Sequence, residues 1–246
     1  MNGTIVVAGL GEIGRPLYEL IRERFETVGV DIDPVEAQGQ CDILHVCFPY
    51  AIEDFVGTCA TYANTYNPSL VIINSTVAPG TSRQVASAIG RPVVNSPVRG
   101  KHIRMKEDLL YYTKFVGGVD EQSSQKAADH FRAIGLKTLI LSSPEATELA
   151  KLTETTYFGV LIAWAQEVER YCNRLSVDYN EVVSFYDEIN FFPPVKYFPG
   201  IIGGHCVMPN IKILKGVFAS DMLDALEKSN QVKRNSLGID DTKILV

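Results

Sequence analysis

The sequence predicts an α/β protein: a Rossmann-type doubly wound parallel sheet over residues 1–142, then a long helix and a small α-helical region over residues 143–246. Three observations lead to this prediction. Short apolar runs alternate with helical stretches in the first half, a glycine-rich turn follows the first run, and one uninterrupted helical pattern begins near residue 143. Apolar strands that alternate with helices form parallel sheets covered on both faces.

The expected strands of this sheet are short and rich in branched apolar residues. They are Thr4–Leu10, Thr27–Ile32, Ile43–Phe48, Leu70–Asn74, Pro92–Asn95, Lys114–Gly118 and Thr138–Leu141. The helices expected between them are Arg15–Phe25, Ile52–Tyr62, Thr81–Ile89 and Glu121–Ala133.

The long helix has a serine cap before Pro144, acidic residues in its early turns, and no strong breaker before about Leu175. Its middle, Thr156–Ala165, is apolar on nearly every side and must therefore be covered by other helices or by a second chain. We expect a homodimer through residues 143–175. The further helices expected in this region are Tyr179–Ile189, Ile211–Val217 and Asp221–Asn230.

The composition limits the classes of partner. A net charge of −6 argues against nucleic acid or an anionic membrane as the main partner, and no apolar run is long enough to cross a bilayer. The N-terminus has no signal-peptide pattern, so we expect a cytoplasmic protein. The five cysteines are scattered and do not predict disulfides, and Cys41, His45 and Cys47 lie in a strand pattern that does not favour a metal site.

A G-x-G-x-x-G motif stands between the first strand and the first helix. Gly9 permits the tight turn, Gly11 lets a pyrophosphate approach the backbone, and Gly14 lets helix and strand pack closely. Glu12 and Ile13 complete the turn at the helix N-terminus, where a phosphate is favoured. About twenty residues later Asp31 ends the second strand. An acid there binds ribose hydroxyls and repels a 2′-phosphate, so we expect NAD rather than NADP as the cofactor.

Three further stretches are informative together with this turn. NSTVAPGT follows the fourth strand at residues 74–81, ELAKLTE lies early in the long helix at residues 148–154, and GIIGGHCVMPN covers residues 200–210. In order and approximate spacing they resemble the UDP-glucose/GDP-mannose dehydrogenase family over residues 1 to about 230. The stretch around GGHC is the most specific of them, since it resembles the catalytic-cysteine loop of that family.

The resemblance implies an enzyme that uses NAD twice to oxidise the primary alcohol of a sugar to a carboxylate. It implies that Cys206 is the nucleophile, that Lys151 polarises the reacting oxygen, and that Thr76 helps to position water. The residues themselves support part of this, because Pro209 is typical of a first helical turn. A helix N-terminus after Cys206 would favour the thiolate form.

Three positions depart from the family pattern. Val98 stands where the family has a glutamate that assists proton transfer and hydrolysis. Thr155 replaces an asparagine that binds the reacting oxygen, and its hydroxyl, on the same helical face as Lys151, is a partial substitute. Asn210 replaces an aspartate and cannot act as a base. These changes bear most on the hydrolytic half of the reaction.

Substrate binding is also open to more than one interpretation. The chain ends at Val246, soon after a segment that resembles the end of the family's central region, so either another chain supplies a nucleotide-sugar-binding domain or the substrate is not a nucleotide sugar. A cationic loop and one loop glycine are candidate substrate-binding residues, the loop suited to phosphate or carboxylate unless it is simply solvated. These residues are Arg99, Lys101, His102, Arg104, Lys106 and Gly204.

Two other functions fit parts of the sequence. The stretch SPVRG at residues 96–100 resembles the substrate loop of β-hydroxyacid dehydrogenases, in which Lys151 would serve a single hydride transfer and Cys206 would have no role. A non-catalytic NAD-binding relative is favoured by the missing acids at positions 98 and 210. The retained Cys206, Lys151 and Thr76 oppose it.

Overall fold

The computed structural model describes residues 3–31, 40–100, 102–188, 198–203 and 206–239, without the side chain of His102. The chain divides into two compact units, Met1–Lys151 and Leu152–Val246. Among the residues so described, no helix is long and apolar enough to cross a membrane.

The first unit is built on one seven-stranded sheet of order β2-β1-β3-β4-β5-β6-β7. Its strands are β1 (Thr4–Ala8), β2 (Thr27–Val30), β3 (Cys41–Val46), β4 (Leu70–Ile73), β5 (Val93–Asn95), β6 (Lys114–Gly118) and β7 (Thr138–Ile140). The prediction of an α/β fold with strands in these places is confirmed. The sheet is not wholly parallel, however, because β6 runs antiparallel to β5, with Val94 opposite Gly118. Lys114, the first residue of β6, therefore lies at the edge where β4 and β5 end.

Helices cover both faces of this sheet. They are α1 (Gly14–Ile21), α2 (Phe55–Tyr66), α3 (Thr81–Ile89), α4 (Met105–Tyr111) and α5 (Glu121–Ala133). Alternate residues of β1 face two separate apolar cores: Ile5 and Val7 pack with α1 and α5, whereas Val6 and Ala8 pack with α2 and α3.

Two adjoining elements were not predicted. A 3₁₀ turn over His102–Arg104 and helix α4 occupy the segment that we expected to be a cationic loop. The apolar residues Met105 and Leu109 of α4 are buried in the core beside α1, which explains why this short segment becomes helical.

The long helix α6 (Pro144–Leu175) begins in the first unit and continues into the second, with Ser143 capping its N-terminus as predicted. The second unit also contains α7 (Tyr179–Ser184), a 3₁₀ turn (Phe185–Glu188), α8 (Val207–Val217) and α9 (Asp221–Ser236). Its main core joins Leu152 of α6 to apolar residues of α8 and α9. Tyr157, Phe158 and Trp164, in the apolar middle of α6, remain 48%, 45% and 54% exposed.

Candidate active site

The glycine turn after β1 has a geometry that only glycine accommodates at two positions. Gly9 has φ of +90°, and a Cβ atom there would lie 2.8 Å from the backbone nitrogen of Phe48. A Cβ atom on Gly14 would lie 1.7 Å from the carbonyl oxygen of Gly9. Both glycines therefore serve the close packing of α1 against the end of β1, as the sequence predicts.

Gly11, the second glycine of the motif, has a different environment. A Cβ atom on Gly11 would meet no atom within 4 Å, and both Gly11 and Glu12 are exposed. Ile13, which precedes α1, makes no capping hydrogen bond with its side chain. The turn thus presents open space at a helix N-terminus, and this arrangement fits the pyrophosphate of a dinucleotide. Asp31 is exposed directly after β2, where a ribose-binding acid is expected.

The loop after β4 is attached to α6 by a buried carboxylate. Glu148 accepts hydrogen bonds from the backbone nitrogens of Gly80 and Ser82, at 2.7 and 2.9 Å, where α3 begins. Burial raises the pKa of Glu148, although these N–H donors oppose the shift. Thr76 lies in this loop and is partly exposed, and Lys151 lies one helical turn after Glu148. Glu148 therefore fixes the loop that carries Thr76 to the helix that carries Lys151.

A buried lysine lies at the same edge of the sheet. Lys114 is 3% exposed, and its ammonium group donates to Oδ1 of Asn74 at 3.1 Å and to the carbonyl oxygen of Ser96. It also lies 5.1 Å from the ring centroid of Phe131. Within the described part of the chain, no acidic side chain forms an ion pair with Lys114.

Two buried histidines continue this hydrogen-bond network into the sheet. Because Asn74 accepts from Lys114 through its oxygen, its amide nitrogen donates to Nδ1 of His45, at 3.2 Å. His45 then carries its proton on Nε2 and donates to Nε2 of His130, at 2.9 Å. The remaining proton of His130 lies on Nδ1, for which the described residues provide no acceptor. Burial lowers the pKa of both histidines, that of His130 to about 4.

The predicted cationic residues have specific local partners. The guanidinium of Arg99 lies over the rings of Tyr112 and Phe115, at 5.3 and 5.7 Å. Arg104 forms an ion pair with Asp108 at 3.1 Å, and Lys106 forms one with Glu23 at 3.0 Å. Arg104 lies just before α4 and Lys106 lies in it, so these two ion pairs favour a structural role for both cations. Lys101 and the side chain of His102 lie outside the described residues, and Val98 is buried in the apolar core.

In the second unit Cys206 is exposed and directly precedes α8 without a side-chain capping bond. The prediction that this cysteine stands before a helix N-terminus is confirmed. The other four cysteines are buried, and burial raises the pKa values of Cys41, Cys47 and Cys59 to about 12. Cys206 is thus the accessible thiol among the five. Gly204 lies outside the described residues.

Thr155 and Asn210, the two polar residues of the second unit that depart from the family pattern, contact each other. Asn210 donates through its amide nitrogen to Oγ1 of Thr155, at 2.7 Å, and both residues are buried. Thr155 Oγ1 in turn donates to the carbonyl oxygen of Leu152, at 3.0 Å. Thr155 thus donates its hydroxyl proton to a carbonyl group of its own helix. Neither Thr155 nor Asn210 is a base at neutral pH.

Sequence reasoning missed two residues of this site, Lys114 and Glu148. A lysine that opens the otherwise apolar run KFVGG was the available signal for Lys114. Glu148 was assigned only to the acidic first turns of a helix. No cluster of three or more potential metal ligands occurs among the residues that the structure describes.

Comparison with known proteins gives consistent matches. Residues 145–233 match the sequence model of the UDP-glucose/GDP-mannose dehydrogenase family, central domain. Over these residues the chain resembles the central domain of that family. One relative, UDP-N-acetyl-D-mannosamine dehydrogenase of Methanocaldococcus jannaschii, is 24% identical over 82% of this chain and 59% of its own length.

The relatives from Pyrococcus horikoshii extend the comparison to structure. The UDP-N-acetyl-D-mannosamine dehydrogenase of this organism is 30% identical over 56% of this chain and 35% of its own length. The solved structure of UDP-D-ManNAc dehydrogenase from that organism has a TM-score of 0.81 and 22% identity, over 96% of this chain and 70% of that one. The chain spans 59% and 35% of the length of these two curated relatives, and the solved structure shows the likeness of fold.

Proposed function

We propose that this protein is an NAD-dependent oxidoreductase of the nucleotide-sugar dehydrogenase type that oxidises a primary alcohol of a sugar or sugar-like substrate. The observation that carries the proposal is the glycine turn of the first unit. Gly11 opens onto free space at the start of α1, and Asp31 follows β2. The acid at position 31 is the reason for choosing NAD over NADP.

The substrate class is inferred from the relatives that the chain matches. The matching relatives are named as UDP-N-acetyl-D-mannosamine dehydrogenases, so a nucleotide-linked amino sugar is the first substrate to test. We also include sugar phosphates and free sugars among the candidates.

The chemistry assigned to the chain follows from three side chains. Oxidation of an alcohol removes a proton from oxygen and a hydride from carbon, and Lys151 is the group that holds the reacting oxygen and its proton. When bound, NAD supplies the hydride acceptor for each oxidation. The sulfur of Cys206 adds to the carbonyl carbon of the aldehyde, and a second oxidation turns this adduct into a thioester. Water, positioned by Thr76, then replaces sulfur and releases the carboxylate and the thiol.

The hydrolytic step is the one that these residues support least. Valine, threonine and asparagine occupy positions 98, 155 and 210, and none of them is a general base at neutral pH. Thr155 and Asn210 are hydrogen-bonded to each other. We infer that the thioester is hydrolysed slowly relative to the first oxidation.

The assembly proposed for the protein is a homodimer through residues 143–175. The aromatic side chains of Tyr157, Phe158 and Trp164 are each about half exposed on this helix. Burial of such side chains against a second copy would stabilise a dimer through the hydrophobic effect.

The deciding experiment measures NADH formation with UDP-N-acetyl-D-mannosamine, other nucleotide sugars and sugar phosphates. We expect turnover with at least one of them, and a first burst of NADH followed by a slower steady rate. Cys206→Ser should keep one hydride transfer per substrate and lose the second. Lys151→Met should lower both by about a hundredfold or more, because it removes the acid–base group.

The outcomes separate the three functions. One NADH per substrate in the parent protein, with rate and stoichiometry unchanged in Cys206→Ser, would support the single transfer of a β-hydroxyacid dehydrogenase. Tight NAD binding without turnover on any substrate would support a non-catalytic NAD-binding protein. Absence of NAD binding would refute the proposed function as a whole.

A further inference from the structure

Lys114 occupies an unusual position for a lysine. It is almost completely buried at the edge of the sheet that carries the glycine turn and Thr76, and the described residues offer it no carboxylate. An isolated buried ammonium group is costly unless other polar groups replace its hydration. Here the replacement comes from one amide oxygen and one backbone carbonyl, those of Asn74 and Ser96.

The two acceptors belong to different loops. Asn74 is the first residue after β4 and begins the loop that contains Thr76 and leads to α3. Ser96 is the first residue after β5 and begins the loop that contains Val98 and Arg99. Lys114 is separated by 40 residues from Asn74 and by 18 from Ser96. Its side chain therefore bridges the two loops just beyond the point where β4 and β5 stop pairing.

The two acceptor residues, Asn74 and Ser96, are held in place by further hydrogen bonds. Ser96 donates through its hydroxyl to the carbonyl oxygen of Phe115, at 2.6 Å. The amide nitrogen of Asn74 donates to His45 and to the carbonyl oxygen of Ile72, the latter at 3.2 Å. Every polar atom of the Asn74 side chain thus has a partner, and Lys114 is the donor that fixes the orientation of the amide.

The charge on Lys114 changes in the physiological pH range. Burial lowers its pKa from 10.5 to about 7; the nearby thiol of Cys47 opposes this shift, and the positive charge of Lys151 adds to it. The other titratable groups of the network are His45 and His130, which burial keeps neutral at this pH. An ammonium group donates stronger hydrogen bonds than a neutral amine does.

We propose that Lys114 is a positioning residue of the candidate active site, which ties the loop after β4 to the loop after β5 and holds both more firmly when it carries a positive charge. This inference rests on the proposed function for its effect on NAD, and on geometry alone for its effect on the loops. Lys114 acts through Asn74 and Ser96 and is assigned no contact with a reacting atom or with the cofactor.

The first test measures hydrogen exchange of backbone amides in the unliganded protein, as protection factors, from about pH 6 to about pH 9, a range on both sides of the Lys114 pKa. Two backbone amides serve as reporters. The amide of Ser96 donates to the carbonyl oxygen of Ile73 at 2.8 Å, and the amide of Ser82 donates to the carboxylate of Glu148 at 2.9 Å. We expect their protection to fall about three- to tenfold as Lys114 loses its proton, since charged hydrogen bonds are the stronger ones. The amide of Ser69, at the opposite edge of the sheet, should show no change.

The second test compares variants. Lys114→Arg keeps a charge at all these pH values, so protection and NAD affinity should become independent of pH in this variant, whatever its stability. Lys114→Met should lose protection at Ser96 and Ser82 at every pH. The matched control is Lys126→Met, which removes a lysine of α5 that binds the carboxylate of Asp42 in β3 at 2.5 Å and the hydroxyl of Ser69, just before β4, at 2.6 Å. It should keep the pH dependence of the parent protein.

The outcomes are distinct. A pH dependence that persists unchanged in Lys114→Arg, or its absence from the parent protein, would overturn the proposal. If the parent protein does not bind NAD at any pH, the proposed function fails, while the exchange measurement still decides whether Lys114 holds the loops. We expect NAD affinity to weaken about three- to tenfold with rising pH, and only when residue 114 is lysine. That result would support both the proposed function and the positioning role of Lys114.

Discussion

At the amino edge of the sheet Lys126 pairs with the carboxylate of Asp42, whereas at the carboxyl edge Lys114 binds an amide oxygen and a backbone carbonyl. Lys126 is about one third exposed, and its pairing helps to lower the pKa of Asp42 against the opposing effect of burial. Lys114 is buried and its pKa is lowered to about 7. The amino edge thus has an ordinary ion pair, and the carboxyl edge has a costly arrangement of the kind found at functional sites.

The same contrast extends to the backbone. At the carboxyl edge the chain contains a left-handed Gly9, a Gly14 in contact with Gly9, and a buried Glu148 that binds two backbone amides. Each of these features fixes a loop instead of enlarging the apolar core. We therefore expect substitutions at the carboxyl edge to affect NAD binding as well as stability, whereas substitutions at the amino edge should affect stability alone.

The largest effect is expected for Gly14→Ala. A Cβ atom 1.7 Å from the carbonyl oxygen of Gly9 forces α1 away from β1, and we expect a loss of roughly 4 kcal/mol in the free energy of unfolding together with loss of NAD binding. Chemical denaturation and NAD titration measure the two quantities.

Gly11→Ala is the matched control, since its Cβ atom meets nothing within 4 Å. It should leave the free energy of unfolding within about 0.5 kcal/mol of the parent value but weaken NAD binding. Equal stability losses in the two variants would contradict the role assigned to the close contact between Gly14 and Gly9.

The next effect is an acid-induced loss of stability that arises at His130, between the two edges. Its pKa is about 4 in the folded protein and 6.5 in the unfolded chain, so the unfolded chain binds more protons between these values. The stabilising contribution is present above pH 6.5 and is lost as the pH falls through 4. By linkage, the total loss from this group is about 3 kcal/mol.

Denaturation of the parent protein and of His130→Phe over this pH range isolates the contribution. The variant leaves the Nε2 proton of His45 without its acceptor and should be less stable at neutral pH, but its free energy of unfolding should fall less steeply with acid. An identical acid slope in the two proteins would show that His130 is not the titrating group.

A smaller effect is expected for Glu148→Ala, which removes the acceptor for the amides of Gly80 and Ser82. We expect a loss of about 2 kcal/mol in the free energy of unfolding, because two backbone N–H groups, one partly and one fully buried, lose their acceptor. NAD-dependent turnover should fall as well, since the loop of Thr76 is released from α6.

Glu145→Gln is the control for this variant, because Glu145 lies one turn earlier in α6 and forms a more exposed ion pair with Arg83. Its free energy of unfolding should change by about 0.5 kcal/mol or less. If Glu148→Ala were as mild as this control, the two backbone hydrogen bonds would not be what holds the loop.

Local patterns in the sequence were sufficient for most of the fold. The bounds of α3, α5 and β6 are those predicted, and the glycine turn between β1 and α1 has the predicted geometry. These features depend on side-chain periodicity and on residues within a few positions of each other. Helix α4 was missed because its seven residues are helical only through packing of Met105 and Leu109 in the core.

The sequence by itself therefore determined the α/β fold, the position of the glycine turn and the placement of Cys206 before a helix. Only the tertiary structure decided that β6 runs antiparallel to β5, that Glu148 binds the start of α3, and that Asn210 pairs with Thr155. These contacts join residues 55 to 68 positions apart, or depend on strand direction. The burial of Lys114 has the same origin: the reversal of one strand brings a lysine to the edge where two other strands end, and no local pattern encodes that meeting.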